Sequence, residues 1–433
     1  MSYHFLMDLA LILLSTKLLG LFTQRFQMPQ VVGALLAGLL LGPAGLNILA
    51  ETGFLSQLSE LGVIVLMFSA GMGTNIQELK DSGKAGFSVA LCGVMVPLVM
   101  GTALAWGAAK AGMVSDGGFL EDVFVGTILT ATSVSITVET LKEMGKLDTK
   151  VGNTILAAAL IDDVLGLIAL TIVSSVAGGG ESLLLVLIKI ALFFAFALAA
   201  GYAALRLFRW MMERNHEQNL RRYPVLAFVL CLLMAYCAEE FFGVADITGA
   251  YAAGLVISCT PKATYIQSKY EPLSYLLLTP VFFASIGINV TVGALNGTLV
   301  MFSILLLVIS VLSKIVGCGL GAKFCGFDGR ESLQVGVGMV CRGEVALIVA
   351  NRGLALGVLS SAMMTPVIIT VIGGTILTPI LLKLVFKNAP KPEASVLVDH
   401  YRETAQLDIV ADRLLDENRK LMEQGGSSSH PEK

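Results

Sequence analysis

Apolar runs bounded by charges or turn residues recur thirteen times along the chain, at about 3–23, 30–47, 57–77, 85–110, 119–141, 150–174, 181–208, 222–242, 244–260, 271–289, 296–323, 330–352 and 358–386. Most are long enough to cross a bilayer as an α-helix, which takes roughly 20 residues at about 1.5 Å each. The pattern therefore predicts an all-α polytopic membrane protein with thirteen transmembrane helices. The cationic residues test the alternation. With the N-terminus outside, the inward-facing loops and flanks hold seventeen Lys and Arg residues, from Arg25 through Lys80, Lys142, Arg222 and Lys262 to Lys387, whereas the outward ones hold Lys110 and Arg352. Such a bias sets orientation, with the cation-rich loops cytoplasmic. The C-terminus is then cytoplasmic too.

The same pattern contains a repeat. Gly33-Ala34-Leu35-Leu36-Ala37-Gly38-Leu39 in the second crossing matches Gly249-Ala250-Tyr251-Ala252-Ala253-Gly254-Leu255 in the ninth, an offset of 216 that also carries Ser69-Ala70-Gly71 onto Ser285-Ile286-Gly287. Crossings two and nine run in opposite directions. The expectation is two inverted six-helix repeats joined by a linker helix, crossing seven. That architecture places a binding site near the midplane, at discontinuous helices.

Composition sharpens the class without changing it. Of 433 residues, 55% are hydrophobic and 14% charged, and the mean hydropathy is +0.81. The net charge of −3 adds nothing, and no nucleic-acid partner is expected. No cleavable signal is evident before the first apolar segment. The seven cysteines fall in or beside apolar segments without CxxC spacing and are expected as small core residues. His4, His216, His400 and His430 lie near segment ends, in loops or in the tail. Proton chemistry inside the membrane must therefore use carboxylates.

Those carboxylates are Asp162 and Asp163, adjacent within the sixth apolar run. The nearest charge upstream is Lys150, which places them about 18 Å inward at the helical rise. A mid-membrane carboxylate costs several kcal/mol unless paired, hydrated or protonated, so the pair marks an ion or proton site. Two other crossings are predicted to break near it. Residues 129–137 of crossing five carry five hydroxyl side chains in nine positions, Thr130, Thr132, Ser133, Ser135 and Thr137. Such side chains compete with the helical ladder and can satisfy freed backbone groups. Crossing twelve, its partner in the repeat, contains Gly336, Gly338 and Gly343, and glycine weakens a helix. Gly317, Gly319 and Gly321 follow no strand, so they form no dinucleotide fingerprint and are expected to serve helix packing.

The remaining deep charges sort by depth. Lys314 is too far from either end of crossing eleven to stay unpaired, and Asp162 is its natural counter-ion. Arg342 and Glu344 lie in the expected break, to pair either with each other or across the broken helix ends. Lys17 and Lys189 lie near enough to a surface to snorkel. Glu239 and Glu240, near an outer helix end, fit either a solvated surface or an ion-entry funnel.

Taken with these motifs, the chain resembles the bacterial NapA-type Na+/H+ antiporters of the monovalent cation:proton antiporter superfamily. The likeness covers nearly all of residues 1–386 and rests on 29–43 (Pro29 to Pro43), Thr130-Ala131-Thr132-Ser133-Val134, Asp162-Asp163, 280–287, Lys314 and 342–348. It implies a dimerisation or panel domain from residues 1–83 and 221–290, a core ion-transport domain from 84–180 and 291–388, a linker helix in 181–220 and a short cytoplasmic tail at 389–433. It implies that Asp163 binds Na+, that Asp162 pairs with Lys314, and that Thr130, Thr132 and Ser133 lie near the ion. Gly71-Met72-Gly73 departs from the Gly-Leu-Glu that relatives often carry, and lacks whatever that acid does in them. In the tail, 405–421 has the apolar spacing of a short surface helix, and 425–429 the composition of a disordered segment.

The expected function is secondary exchange of cytoplasmic Na+ or Li+ for external protons by alternating access, in a multi-pass homodimer of the bacterial inner membrane. It requires no cofactor and no covalent catalysis, because the transported ions are the only reactants. If Asp162 and Lys314 also exchange protons, net charge moves in each cycle. The alternatives are a K+/H+ antiporter, since an aspartate pair does not exclude K+, and a sodium-coupled organic solute symporter, which would want a larger polar cavity.

Overall fold

The computed structural model describes residues 4–25, 29–114, 117–177, 182–214, 222–289 and 297–387. The tail helix expected at 405–421 and the polar segment 425–429 lie outside the described residues, as do His216, His400 and His430. The described chain is all helical, with no strand among the described residues. In order it forms α1 (His4–Arg25), α2 (Gln30–Leu41), α3 (Gly53–Gly73), α4 (Ile76–Lys110), α5 (Phe119–Ile128), α6 (Val134–Glu143), α7 (Lys150–Val176), α8 (Leu183–Arg214), α9 (Arg222–Phe242), α10 (Asp246–Ser258), α11 (Ala263–Leu273), α12 (Thr279–Ile288), α13 (Gly297–Phe324), α14 (Gly329–Gly338), α15 (Glu344–Ala355) and α16 (Met364–Phe386).

Nine spans among the described residues are long and apolar enough to cross a membrane. One is the run Ala263–Ile288, in which a π-helical turn, Ser274–Leu278, joins α11 to α12. The thirteen expected crossings draw in addition on the shorter α2 and α10 and on two interrupted pairs, α5/α6 and α14/α15. Element ends follow local chemistry. α4 begins at Ile76, nine residues before the apolar run, because Asn75 accepts the Gln77 amide at 3.0 Å and caps it. A boundary between residues 83 and 84 therefore falls inside one continuous helix. α7 starts where Thr149 accepts the Gly152 amide, and α14 starts with a capping box between Asp328 and Glu331.

Packing is dense within two groups of helices. α4 lies along α7 and α13, with α5, α14, α15 and α16 completing that group; α3 lies along α10 and α12, with α1, α2, α9 and α11 around them. The groups meet where α6 touches α2 and α3, where α16 touches α2, and through α8, which packs on α7, α9 and α10. Val164, Leu167 and Ile168 of α7 pack against the Val186, Ile190 and Phe193 cluster of α8.

The repeat seen in the sequence is a repeat of contacts. A Cβ on Gly38 would strike the Ala284 carbonyl; on Gly254, 216 positions later, it would strike the carbonyl of Phe68, which is 216 positions before Ala284. Likewise, a Cβ on Gly71 would meet the Tyr251 carbonyl, and one on Gly287 the Leu35 carbonyl at 2.6 Å. Each half lends the same glycine to the other half's backbone, as two-fold-related copies must. In a bilayer such close approach replaces the hydrophobic effect as the force joining helices. Gly317 serves the same end on α13, facing the Cys92 carbonyl of α4.

Because these glycines face backbone, side chains there have nowhere to go. Gly38→Val and Gly254→Val should each destabilise the protein by about 1–3 kcal/mol through overpacking, read as a lower melting temperature in detergent. Parent-like melting of both variants would mean that these carbonyls are not in contact.

Candidate functional site

The two aspartates are adjacent on α7, and successive helical residues point about 100° apart. They consequently face different surroundings. Asp162 turns toward α13, where Lys314 Nζ donates to its Oδ1 at 3.0 Å and its Oδ2 at 3.1 Å. Both side chains are sealed, at 1% and 0% exposure. Asp163 is half-buried. Gly93 of α4 packs against this pair: a Cβ there would strike Cys318 Sγ at 2.5 Å and would lie in ordinary contact with Lys314 Nζ at 3.6 Å and Asp162 Oδ1 at 3.8 Å. Cys318, one turn beyond Lys314, is within electrostatic reach of Lys314, Asp162 and Arg342.

Both expected breaks exist. α5 ends at Ile128 and α6 starts at Val134; α14 ends at Gly338 and α15 starts at Glu344. The two extended stretches join through the Ser133 amide, which donates to the Cys341 carbonyl at 2.9 Å. Thr137 Oγ1 donates to the Gly338 carbonyl at 2.9 Å. These bonds take up groups that the interrupted ladders release, which is the condition for irregular backbone at membrane depth.

Arg342 holds the crossing together. Its guanidinium, 1% exposed, donates through Nη1 to the Ala131 carbonyl, through Nε to Ser310 Oγ at 3.1 Å, and through Nη2 to the Ser310 carbonyl at 3.5 Å. Its own carbonyl accepts from Thr375 Oγ1. One side chain thus ties both broken helices to α13, and its main chain to α16. Arg342 thus bonds across the broken helix ends; the Glu344 side chain, the other partner considered for it, lies outside what is described. The Asp162 carboxylate acts electrostatically on the same guanidinium, so pair and break form one charge system.

The hydroxyl residues differ in their partners. Thr130 Oγ1 donates back to the Thr127 carbonyl at 2.8 Å, and Ser133 Oγ lies 3.4 Å from Ser135 Oγ. Thr132, 1% exposed, has a hydroxyl with no hydrogen-bond partner among the described residues. A buried oxygen left so is costly unless something else occupies its lone pairs. No group of three His, Cys, Asp or Glu side chains that could hold a metal is found among the described residues. The carboxylate, hydroxyl and main-chain carbonyl oxygens of the acid pair and the breaks are donors of a kind suited to hard cations.

Gly93, Ser310 and Thr375 escaped sequence reasoning. Each is an ordinary small residue in an apolar helix, and only the fold brings it to a charged partner. Lys17 Nζ hydrogen-bonds Tyr275 Oη at 2.6 Å on the exposed face of the π-helical turn, a partner the sequence did not suggest.

The sodium/hydrogen exchanger transmembrane family model matches residues 10–388. The chain is 40% identical over 388 residues to the Na(+)/H(+)-K(+) antiporter GerN of Bacillus cereus, covering 89% of this chain and 97% of that one. It is 34% identical to a Na(+)/H(+) antiporter of Enterococcus hirae, covering 89% and 99%. Among solved structures, the sodium proton antiporter MjNhaP1 of Methanocaldococcus jannaschii superposes with a TM-score of 0.66 at 18% identity, over 91% of this chain and all of that one.

Removing one partner of a buried pair strands the other in low dielectric. Lys314→Ala should therefore cost about 3–5 kcal/mol of stability, and Lys314→Ala with Asp162→Ala should recover much of it, measured by thermal unfolding in detergent. Equal losses in the single and double variants would deny the coupling.

Proposed function

The chain belongs to the transmembrane sodium/hydrogen exchanger family, and from that premise we propose that it exports cytoplasmic Na+ or Li+ in exchange for external protons. The observation that carries this reading is the sealed Asp162–Lys314 pair beside half-buried Asp163, at the crossing of two interrupted helices. Asp163 is the residue that takes the cation or the proton. Thr132, with its unclaimed buried hydroxyl, supplies a neutral oxygen to the ion, and Thr130 and Ser133 shape the segment that presents it. Arg342 fixes the broken ends so that this geometry persists as the site moves.

The physical logic is competition. A carboxylate in a low-dielectric interior is stable only when neutralised. Proton and Na+ each do this, and one displaces the other. A body that crosses the membrane only when neutralised carries one ion out for each proton site refilled, and that couples the flows. The α4–α7 and α13–α16 group is the moving core; the α1–α3 and α9–α12 group is the fixed panel, which also forms the homodimer interface, with α8 as linker. Thirteen crossings place the N-terminus outside and the Lys- and Arg-rich end in the cytoplasm, in the bacterial inner membrane. If Lys314 releases its proton during the cycle, exchange is electrogenic.

A second reading includes K+ as a transported ion. The relative at 40% identity is named for Na+, H+ and K+ together, and an aspartate with hydroxyl oxygens does not exclude the larger ion. Proton flux in proteoliposomes with Na+, Li+ and K+ added in turn separates the readings. A response to Na+ and Li+ but not K+ supports the first, and an equal response to K+ the second. No response to any of the three would overturn both.

Asp163→Asn should abolish cation-driven proton flux while the protein still folds, because the change removes a charge that burial disfavours. Substantial Na+-dependent flux in that variant would move the ion site elsewhere. Apparent Na+ affinity should weaken as pH falls, since protons occupy the carboxylate that Na+ needs. An affinity unchanged between about pH 6 and 8.5 would mean separate sites for the two ions.

A further inference from the structure

Helix α2 begins without a cap of its own. Its N-cap residue is Pro29, which makes no side-chain cap hydrogen bond, and the amides of the first turn of any helix need acceptors from outside it. The acceptor comes from the other helix group. Glu143, the last residue of α6, takes the Gln30 amide on its Oε2 at 2.7 Å, and the Val31 amide lies near enough to act on the same carboxylate. A carboxylate at a helix N-terminus gains from both the free amides and the helix dipole. Beside it, Lys142 Nζ lies 3.7 Å from Glu271 Oε1 on α11, with both side chains about one-third exposed. An ion pair so exposed contributes little. Glu143 is itself exposed, so neither link is sealed from water, and the cap differs in engaging a main-chain amide that has no other acceptor in its own turn.

The burial of α7 shows which end of the bundle these links close. Residues 151–159, on the side of Glu143 and Arg25, are buried without exception, whereas 163–170, toward the opposite end, are all partly exposed. Beyond them Thr171, Val173 and Ser174 are buried again, so the unbroken burial of α7 lies on the Lys- and Arg-rich side of the acid pair. That side carries the Glu143 cap.

We propose that Glu143 is a conformational latch: it caps α2 only while the core is seated against the panel at the Lys- and Arg-rich end, and so stabilises the state closed at that end. This rests on the two-body reading above and adds to it a residue that touches no transported ion. When the core moves, α2 loses an acceptor that Pro29 cannot replace, so each opening at that end breaks a helix cap. Loss of the carboxylate should favour opening about fivefold, the size of an ordinary N-cap effect.

Thr140 supplies a reporter. It lies one turn before Glu143 on the same face of α6 and is fully buried. In a Thr140→Cys variant, N-ethylmaleimide labelling at position 140, read by mass spectrometry, should be slow, and should speed up about fivefold when Glu143→Ala is added. Glu143→Gln, which keeps an acceptor oxygen but not the charge, should fall between and guards against a folding defect in the alanine variant. The same ratios should appear with Asp163→Asn in the background, where no exchange is expected, so the latch and the ion-exchange reading are tested apart. Unchanged labelling at position 140, with faster hydrogen exchange confined to the Gln30 and Val31 amides, would overturn the proposal and leave Glu143 as a local cap.

Discussion

A charge inside a membrane has to be neutralised, and the contact between Lys314 and Asp162 is where this chain meets that constraint. Both groups are sealed from solvent. Each would be a liability alone, since stranding one buried ion costs several kcal/mol. Together they impose order on three helices: α7 must present Asp162 to α13, α13 must present Lys314 to α7, and α4 must come close enough to cover both, which it does with Gly93 against Cys318. The dense packing of α4 against α7 and α13 follows from this demand. A side effect of adjacency is that Asp163 cannot share the lysine, because the helical turn aims it elsewhere. One acid is committed to the lysine, and its neighbour faces different surroundings.

The interrupted helices pose a second problem with the same root. Unwinding a helix at membrane depth exposes amides and carbonyls that lipid cannot satisfy. Here the two breaks satisfy each other, Ser133 to Cys341, and the surplus carbonyl of Ala131 goes to Arg342. Arg342 suits this role for a reason a lysine would not share. Its planar guanidinium donates in several fixed directions at once, and here it reaches a carbonyl of one break and both the hydroxyl and carbonyl of Ser310. It also lies within electrostatic reach of Asp162.

On the panel side the glue is different. Among the described residues no buried ion pair holds α3 to α10 or α2 to α12; glycines there let backbones touch. The α6 links to α2 and α11 are polar and few, and α8 adds an apolar seam between α7 and α9. Contacts are thus packed by shape within each group and are sparser between the groups.

The sequence determined the membrane class, the inverted repeat, the deep acid pair and the positions of the two breaks. Each rests on a local signal: runs of apolar residues, a fixed offset, a charge where no charge is cheap, or hydroxyls and glycines where a helix should be strong. The thirteen-crossing count and the panel and core boundaries are expectations of the same origin, and α4 shows the limit of run-counting, since a cap at Asn75 extends it well past its apolar stretch. The tertiary structure alone decided which charges meet. The sequence placed Arg342 in a break, and the fold gives its guanidinium the Ala131 carbonyl and Ser310; Lys17 was placed by depth, and a π-helical turn brings Tyr275 to it. Gly93, Thr375 and Glu143 carry no signal along the chain. Their roles arise from neighbours tens or hundreds of positions away, and burial and hydrogen bonding act on distance in space, which hydrophobic patterning does not encode.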